Sequence, residues 1–309
     1  MIKYFYKTLR GEVVQELVEP QRGTWVHVEA PNEDEIAELV KRFKIESGLL
    51  EDALDEDEVP RLEREGDQSY IFVRYAYQNK EGEMDTAPLL IMFDTEVVVT
   101  VSLFNLPAVD SLLNKRADFA TTQRAKLILL ILSHISEQYD ASISQTSRKI
   151  KAIRSRLRAQ GITNQDLIDF VTLEDELNEF LASLLPTNAT LRRLLIGRHI
   201  PLFDEDQDIV EDLLLNNEQS IDAIRSNLRS IGNIREAYSA ISTNNLNRTI
   251  TLLTIATILI ALPNVFFGMY GMNIALPFQN SPWAYATIVG FSVTVITLII
   301  VFARRKHII

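Results

Sequence analysis

Residues 249–303 read TITLLTIATILIALPNVFFGMYGMNIALPFQNSPWAYATIVGFSVTVITLIIVFA. These 55 consecutive residues contain no Asp, Glu, Lys or Arg, although 24% of the whole chain is charged. Two apolar runs, 249–269 and 283–303, are each long enough to cross about 30 Å of hydrocarbon as a helix. A buried helical hairpin of a soluble protein is the alternative, but such helices normally expose a charged face. We therefore expect two membrane-spanning helices.

The rest of the chain is strongly acidic. Residues 1–248 carry 28 of the 31 basic residues and all 42 acidic residues, a net charge of −14. This balance argues against nucleic acid as a partner, because phosphates require basic patches. The chain has no cysteine, which excludes a disulfide framework, a thiolate metal site and a Cys nucleophile. No apolar signal peptide is expected at the N-terminus.

Basic residues flank the apolar stretch and predict its orientation. Arg248 precedes the first run, and Arg304, Arg305 and Lys306 follow the second, whereas the short connection between the runs is uncharged. By the positive-inside rule, we expect a multi-pass protein of the inner or plasma membrane, with both termini in the cytoplasm.

The patterns ahead of the membrane runs predict an α+β cytoplasmic domain, with strands near 24–30 and 69–78 and a helix that starts after Pro31-Asn32. Helical periodicity then runs over 121–158, over 164–186 with Asn164 as the cap, and from about 204 onward. The predicted organisation is an α+β domain (1–105), a helical hairpin region (106–203), a long stalk helix that continues into the first membrane helix (204–270, membrane part about 249–269), an outer loop (271–282), a second membrane helix (283–303) and a basic cytoplasmic tail (304–309).

The first membrane run has two different faces. One face carries small and polar residues with alternating spacings of three and four, which is the heptad repeat of helices packed around a common axis. We call this face the seam; its residues are Asn247, Ile250, Thr254, Thr257, Ala261, Asn264 and Gly268. The neighbouring stripe is wholly apolar and consists of Leu252, Ile255, Leu259, Leu262 and Phe266. An unpaired amide in lipid is costly, so the seam should face protein or water.

Two interpretations of the seam are equally compatible with its periodicity. It could be a helix-packing interface held by Thr and Asn, which is common in membranes. It could instead line a pore, and in that case several copies of the chain must assemble, because two helices cannot enclose a channel.

The first membrane run ends in Tyr270-Gly271-Met272-Asn273. With two C-terminal spans, a long preceding helix and a basic tail, this motif resembles the signature of the CorA family of divalent-cation transport proteins, chiefly for magnesium. The stretch Leu50-Glu51-Asp52, Pro60-Arg61-Leu62-Glu63 and Tyr70-Ile71-Phe72 is similar to a second family motif, with the order of Pro and Arg reversed. The resemblance covers essentially the whole chain.

The resemblance implies a funnel-shaped homopentamer in the lipid bilayer, with the first spans around the pore and the second spans outside them. Tyr270, Gly271, Met272 and Asn273 would form the selectivity loop. The pore-lining residues would be Asn247, Ile250, Leu253, Thr254, Thr257, Ala261, Asn264 and Gly268, with an apolar gate at Ile250, Leu253 or Thr254 and Ala261. Rings of neutral oxygen atoms could accept hydrogen bonds from the water shell that Mg²⁺ gives up reluctantly.

The resemblance also implies an intersubunit regulatory metal site, in which cytoplasmic Mg²⁺ holds the pore closed. Its carboxylates would be Glu51, Asp52 and, by counting back from the motif, Asp212. For the neighbouring acids of 204–208 we favour a solvated surface.

The outer loop departs from the family, because 274–282 carries no Glu to attract cations. The expected function is gated, passive transport of Mg²⁺, with Co²⁺ and Ni²⁺ as surrogates. A zinc or other transition-metal transporter of the same fold is one alternative, and a non-conducting membrane-anchored sensor or scaffold is another. An enzyme is not expected, because the chain has no Gly-rich phosphate loop and its four His are scattered.

Overall fold

A computed structural model describes residues 1–11, 13–114, 119–160, 163–196, 200–273 and 281–305. It divides into two compact units, residues 1–232 and 233–309. The predicted outer loop and basic tail lie largely outside the described residues. The predicted domain boundaries stay predictions.

The first unit contains one mixed sheet of seven strands in the order β2-β1-β3-β7-β6-β5-β4. Neighbouring strands are antiparallel except for β3 and β7, which are parallel. The strands are β1 (Ile2–Tyr6), β2 (Gln15–Leu17), β3 (Trp25–Glu29), β4 (Arg61–Glu65), β5 (Gln68–Gln78), β6 (Met84–Phe93) and β7 (Val98–Ser102).

Seven helices complete the described structure: α1 (Glu33–Phe43), α2 (Ser47–Asp52), α3 (Pro107–Asn114), α4 (Arg124–Gln160), α5 (Asn164–Leu195), α6 (Asp204–Tyr270) and α7 (Ala284–Arg305). The helix predicted after Pro31-Asn32 is confirmed. Asn32 caps α1 through a capping box with Glu35, and each side chain bonds the other residue's backbone N–H.

Helices cover both faces of the sheet. Leu39 of α1 and Leu50 of α2 are buried against Val26, Tyr70 and Met92. On the other face, the Tyr139 hydroxyl of α4 donates to the Arg74 carbonyl of β5. The strand predicted near 24–30 is confirmed, but its side chains do not alternate between buried and exposed, since four of the five residues of β3 are buried. A strand whose two faces are both covered by helices has no face in contact with water, so its residues need not alternate between apolar and polar.

Two predicted features of α5 were wrong. Its N-cap is Thr163 rather than Asn164, and Thr163 forms a capping box with Asp166. The helix also continues through Pro186 to Leu195. Proline removes one backbone hydrogen bond but does not always end a helix, because packing on the sheet can compensate for the loss.

Helix α6 is 67 residues long and passes through both Gly232 and Pro263. In the first unit it lies parallel to α4, and polar contacts join positions 80 residues apart. Ser136 and Asn216 form one contact, Asp140 and Ser220 a second, and Ser147 and Asn227 a third. The predicted long helix is thus confirmed, with one side of its first half held against the sheet-packed layer.

Candidate functional site

Two helices are long and apolar enough to cross a membrane. The apolar window of α6 has a mean hydropathy of 2.2 and that of α7 has one of 2.5. The share of each window that is buried inside the structure is 0% and 11%, respectively. A core helix of a soluble protein would be mostly buried, so the exposure of these windows supports the membrane interpretation.

Helix α7 packs on the apolar stripe of α6. The rings of Phe266 and Phe291 meet edge to face, with centroids 5.2 Å apart. Ile255, Leu259 and Leu262 are half-buried on the same side of α6. The apolar stripe therefore provides the contact between the two membrane helices, and α7 does not use the seam.

Every residue of the seam is exposed, from Asn247 through Asn264 to Gly268, and so is Leu253 beside it. A Cβ placed on Gly268 would meet no atom within 4 Å in this chain. Nothing inside one described chain therefore requires a small residue at that position. The side-chain amides and the hydroxyl oxygen atoms of the seam are therefore exposed on the surface of a single chain.

The threonine hydroxyls of the seam are already engaged as donors. Thr254 Oγ1 donates to the Ile250 carbonyl at 2.8 Å, and Thr257 Oγ1 donates to the Leu253 carbonyl at 2.9 Å. With its proton used inside the helix, each hydroxyl presents only oxygen lone pairs outward. Such a group can accept a hydrogen bond from the water shell of a cation.

The Tyr-Gly-Met-Asn motif forms the end of α6. Tyr270 is the last helical residue, and the Gly271 N–H bonds the Phe267 carbonyl at 3.0 Å. The Met272 N–H then bonds the Met269 carbonyl at 3.2 Å, which tightens the final turn. Met272 and Asn273 are exposed beyond this turn. The side chains of Met272 and Asn273 are thus exposed at a helix end.

The three predicted regulatory carboxylates are not gathered within one chain. Glu51 and Asp212 are exposed, and Asp52 is the half-buried last residue of α2. Among the described residues, no group of three or more acidic or His side chains is placed to hold a metal ion. The solvated surface expected for the acids of 204–208 is wrong for Asp206, which is buried and accepts a hydrogen bond from the Phe203 N–H.

Sequence reasoning missed the role of Arg61 beside Asp52. The Arg61 guanidinium contacts Asp52 at 2.6 Å and also pairs with Glu58 and Glu63. Partial burial works against its charge, but hydrogen bonding and charge attraction from these carboxylates outweigh burial and raise the pKa of Arg61. The reversed order of Pro60 and Arg61 distinguishes this stretch from the family motif. It does not predict which carboxylates the Arg61 side chain contacts.

Known proteins resemble this chain along nearly all of its length. The cobalt/magnesium transport protein CorA of Methanocaldococcus jannaschii is 24% identical over 295 residues, which cover 93% of this chain and 92% of that protein. The divalent cation transporter CmaX of Pseudomonas aeruginosa is 25% identical over 288 residues, which cover 88% and 84% of the two chains.

The fold is also shared with a solved structure. The complete structure of the CorA magnesium transporter from Methanocaldococcus jannaschii superposes with a TM-score of 0.88 at 22% identity and covers 99% of this chain and 98% of that one. The family model for CorA-like Mg²⁺ transporter proteins matches residues 20–305. The chain therefore belongs to the CorA family of divalent cation transporters.

Proposed function

We propose that this protein is a gated, passive transporter of divalent cations with Mg²⁺ as its main substrate and Co²⁺ and Ni²⁺ as surrogates. The observation that carries the proposal is the exposed seam of α6, which lies on a different face from the apolar stripe on which α7 packs. A membrane helix with exposed amides and hydroxyls is costly in lipid, and assembly around a water-filled axis removes that cost.

The proposed assembly is a homopentamer with the seam inside and α7 outside. Asn264 and Thr257 then supply oxygen acceptors along the pore, and Ile250, Leu253 and Ala261 provide its apolar constriction. Neutral acceptors can hold a hydrated dication through its waters without binding it so tightly that release becomes slow.

The outer mouth is formed by the motif from Tyr270 to Asn273. Exposed Asn273 is the proposed selectivity residue, since its amide oxygen can accept from the water shell of the ion. Both termini lie in the cytoplasm, so a negative membrane potential favours entry by about 4.6 kcal/mol per 100 mV for two charges.

Closure is favoured by cytoplasmic divalent cations bound between subunits at Glu51, Asp52 and Asp212. These carboxylates come from α2 and α6, and Glu51 and Asp212 are exposed in one chain. Crowded carboxylates repel one another, and a bound cation removes the repulsion and holds the subunits together.

Rescue of a magnesium-transport-deficient cell tests this function. Wild type should restore growth without added Mg²⁺, and Asn273→Ala should fail at equal membrane expression. Rescue by both variants removes Asn273 from the selectivity loop, and failure of wild type contradicts Mg²⁺ transport. Native mass spectrometry of the detergent-solubilised protein should give the mass of five chains; a stable dimer contradicts the pore.

A further inference from the structure

Arg61 connects three separate elements of the first unit. It begins β4, and its guanidinium reaches Asp52 at the end of α2, Glu58 in the connecting segment and Glu63 on its own strand. The guanidinium also lies over the Phe72 ring, 4.0 Å from the centroid. These contacts fix the guanidinium at the carboxylate of Asp52.

The position of Arg61 conflicts with metal binding at Asp52. Mg²⁺ requires oxygen ligands with free lone pairs in a near-octahedral arrangement. The Asp52 Oδ2 atom already accepts from Arg61 Nη2 at 2.6 Å, and a positive guanidinium at that distance repels a second cation. A divalent ion therefore binds the Asp52 carboxylate more weakly while the guanidinium is in place.

We propose that Arg61 is a built-in competitor for the cytoplasmic divalent cation at Asp52 and thereby sets the ion concentration at which the regulatory site fills. This inference rests on the proposed regulatory role of Asp52. With the guanidinium in place, the site responds only at higher Mg²⁺ than the three carboxylates alone would require. Arg61 is a positioning residue here and does not bind the ion.

The exposure of the Arg61 and Asp52 side chains determines how far the half-saturating Mg²⁺ concentration should change when Arg61 is replaced. The Arg61 and Asp52 side chains are 26% and 44% exposed, and ion pairs of this kind contribute little. Loss of the competitor should therefore lower the half-saturating Mg²⁺ concentration about fivefold rather than by orders of magnitude.

The test is a Mg²⁺ titration of the purified full chain, read as the shift in melting temperature at constant ionic strength. Arg61→Gln should lower the midpoint concentration about fivefold. Arg64→Gln is the matched control, because Arg64 lies on the same strand and bonds the Gly66 carbonyl. It removes the same charge and should leave the midpoint within about twofold.

Two further variants separate the inference from the proposed function. Asp52→Asn should abolish the Mg²⁺-dependent shift; if the shift persists, Asp52 is not regulatory, and both the competition and the regulatory part of the proposed function fail, whereas transport is tested separately by cell rescue. If Asp52→Asn loses the shift but Arg61→Gln keeps or raises the wild-type midpoint, only the competition is overturned. Should Arg61→Gln not fold, Arg61→Met decides, because Met removes the charge and keeps an unbranched side chain over the Phe72 ring. A lowered midpoint supports competition, and an unchanged or raised midpoint overturns it.

Discussion

Phe266 of α6 and Phe291 of α7 meet edge to face, with ring centroids 5.2 Å apart. This contact places α7 on the apolar stripe of α6 and leaves Asn264 and Thr257 exposed on a different face. A helix with one apolar face covered and one polar face open is suited to assembly with further copies around its polar side. The predictions for transport follow from that asymmetry.

Thr257→Val should reduce Mg²⁺ flux about tenfold, because the substitution keeps the shape of the side chain but removes its outward oxygen acceptor. The matched control is Thr251→Val. Thr251 makes the same bond to the carbonyl four residues back, at 2.8 Å, but is half-buried outside the seam. Flux into liposomes loaded with a Mg²⁺ indicator should stay within about twofold of wild type for this control. Equal losses in both variants would show that the seam has no special role.

We expect the first unit to lose stability in mild acid, because the buried His27 resists protonation in the folded chain. Burial, together with the positive charge of Lys3, lowers the pKa of His27 to about 4, and the ring is packed against Thr100 with Nδ1 and Oγ1 3.0 Å apart. The unfolded chain binds this proton near pH 6.5 and the folded chain only near pH 4, so stability falls as the pH falls through that window. The loss should reach about 2 kcal/mol at pH 5 relative to neutral pH.

The pH effect can be read from Trp25, which is fully buried beside His27. In a Trp283→Phe background, Trp25 is the remaining tryptophan of the two, and its fluorescence follows urea unfolding of the first unit. His27→Gln should flatten the dependence between pH 6.5 and pH 5. An equally steep dependence in that variant would assign the effect to other groups.

Gly232→Ala should stabilise α6 by about 0.5–1 kcal/mol, since glycine is unfavourable inside a helix. A Cβ at this position meets no atom within 4 Å, so no clash offsets the gain. Gly23→Ala is the opposite case, because its φ is +85° and a Cβ would lie 2.8 Å from Thr122 Cγ2. Thermal unfolding should shift upward for the first variant and downward for the second. A downward shift for Gly232→Ala would indicate that the helix needs glycine at the junction between the two units.

The sequence predicted the long helices well because their signals are local. Asn32 and Glu35 lie three residues apart and together identify the start of α1. The apolar stripe of α6 can be recognised from the spacing of its residues alone. The prediction failed where tertiary packing decides. Helix α5 passes Pro186 because the sheet supports it, and β2 is a three-residue edge strand without a hydrophobic pattern.

The candidate site was predictable only in part for the same reason. Thr257 and Asn264 share a face through helical periodicity, which the sequence shows directly. Arg61 and Asp52 are nine residues apart and meet because α2 ends where β4 begins to pair at the sheet edge. No rule of residue spacing predicts a contact between these two side chains, so the contact is seen only in the folded chain.

The most direct test of cation transport is ion flux into liposomes containing the purified protein, with Mg²⁺, Co²⁺, Ni²⁺ and Zn²⁺ compared under the same inside-negative potential. Wild type should pass Mg²⁺ fastest, with Co²⁺ and Ni²⁺ as slower surrogates, and Asn273→Ala should lose this flux. Flux of Zn²⁺ alone would assign a different substrate. Absence of flux for all four ions would contradict the account and favour a non-conducting membrane protein.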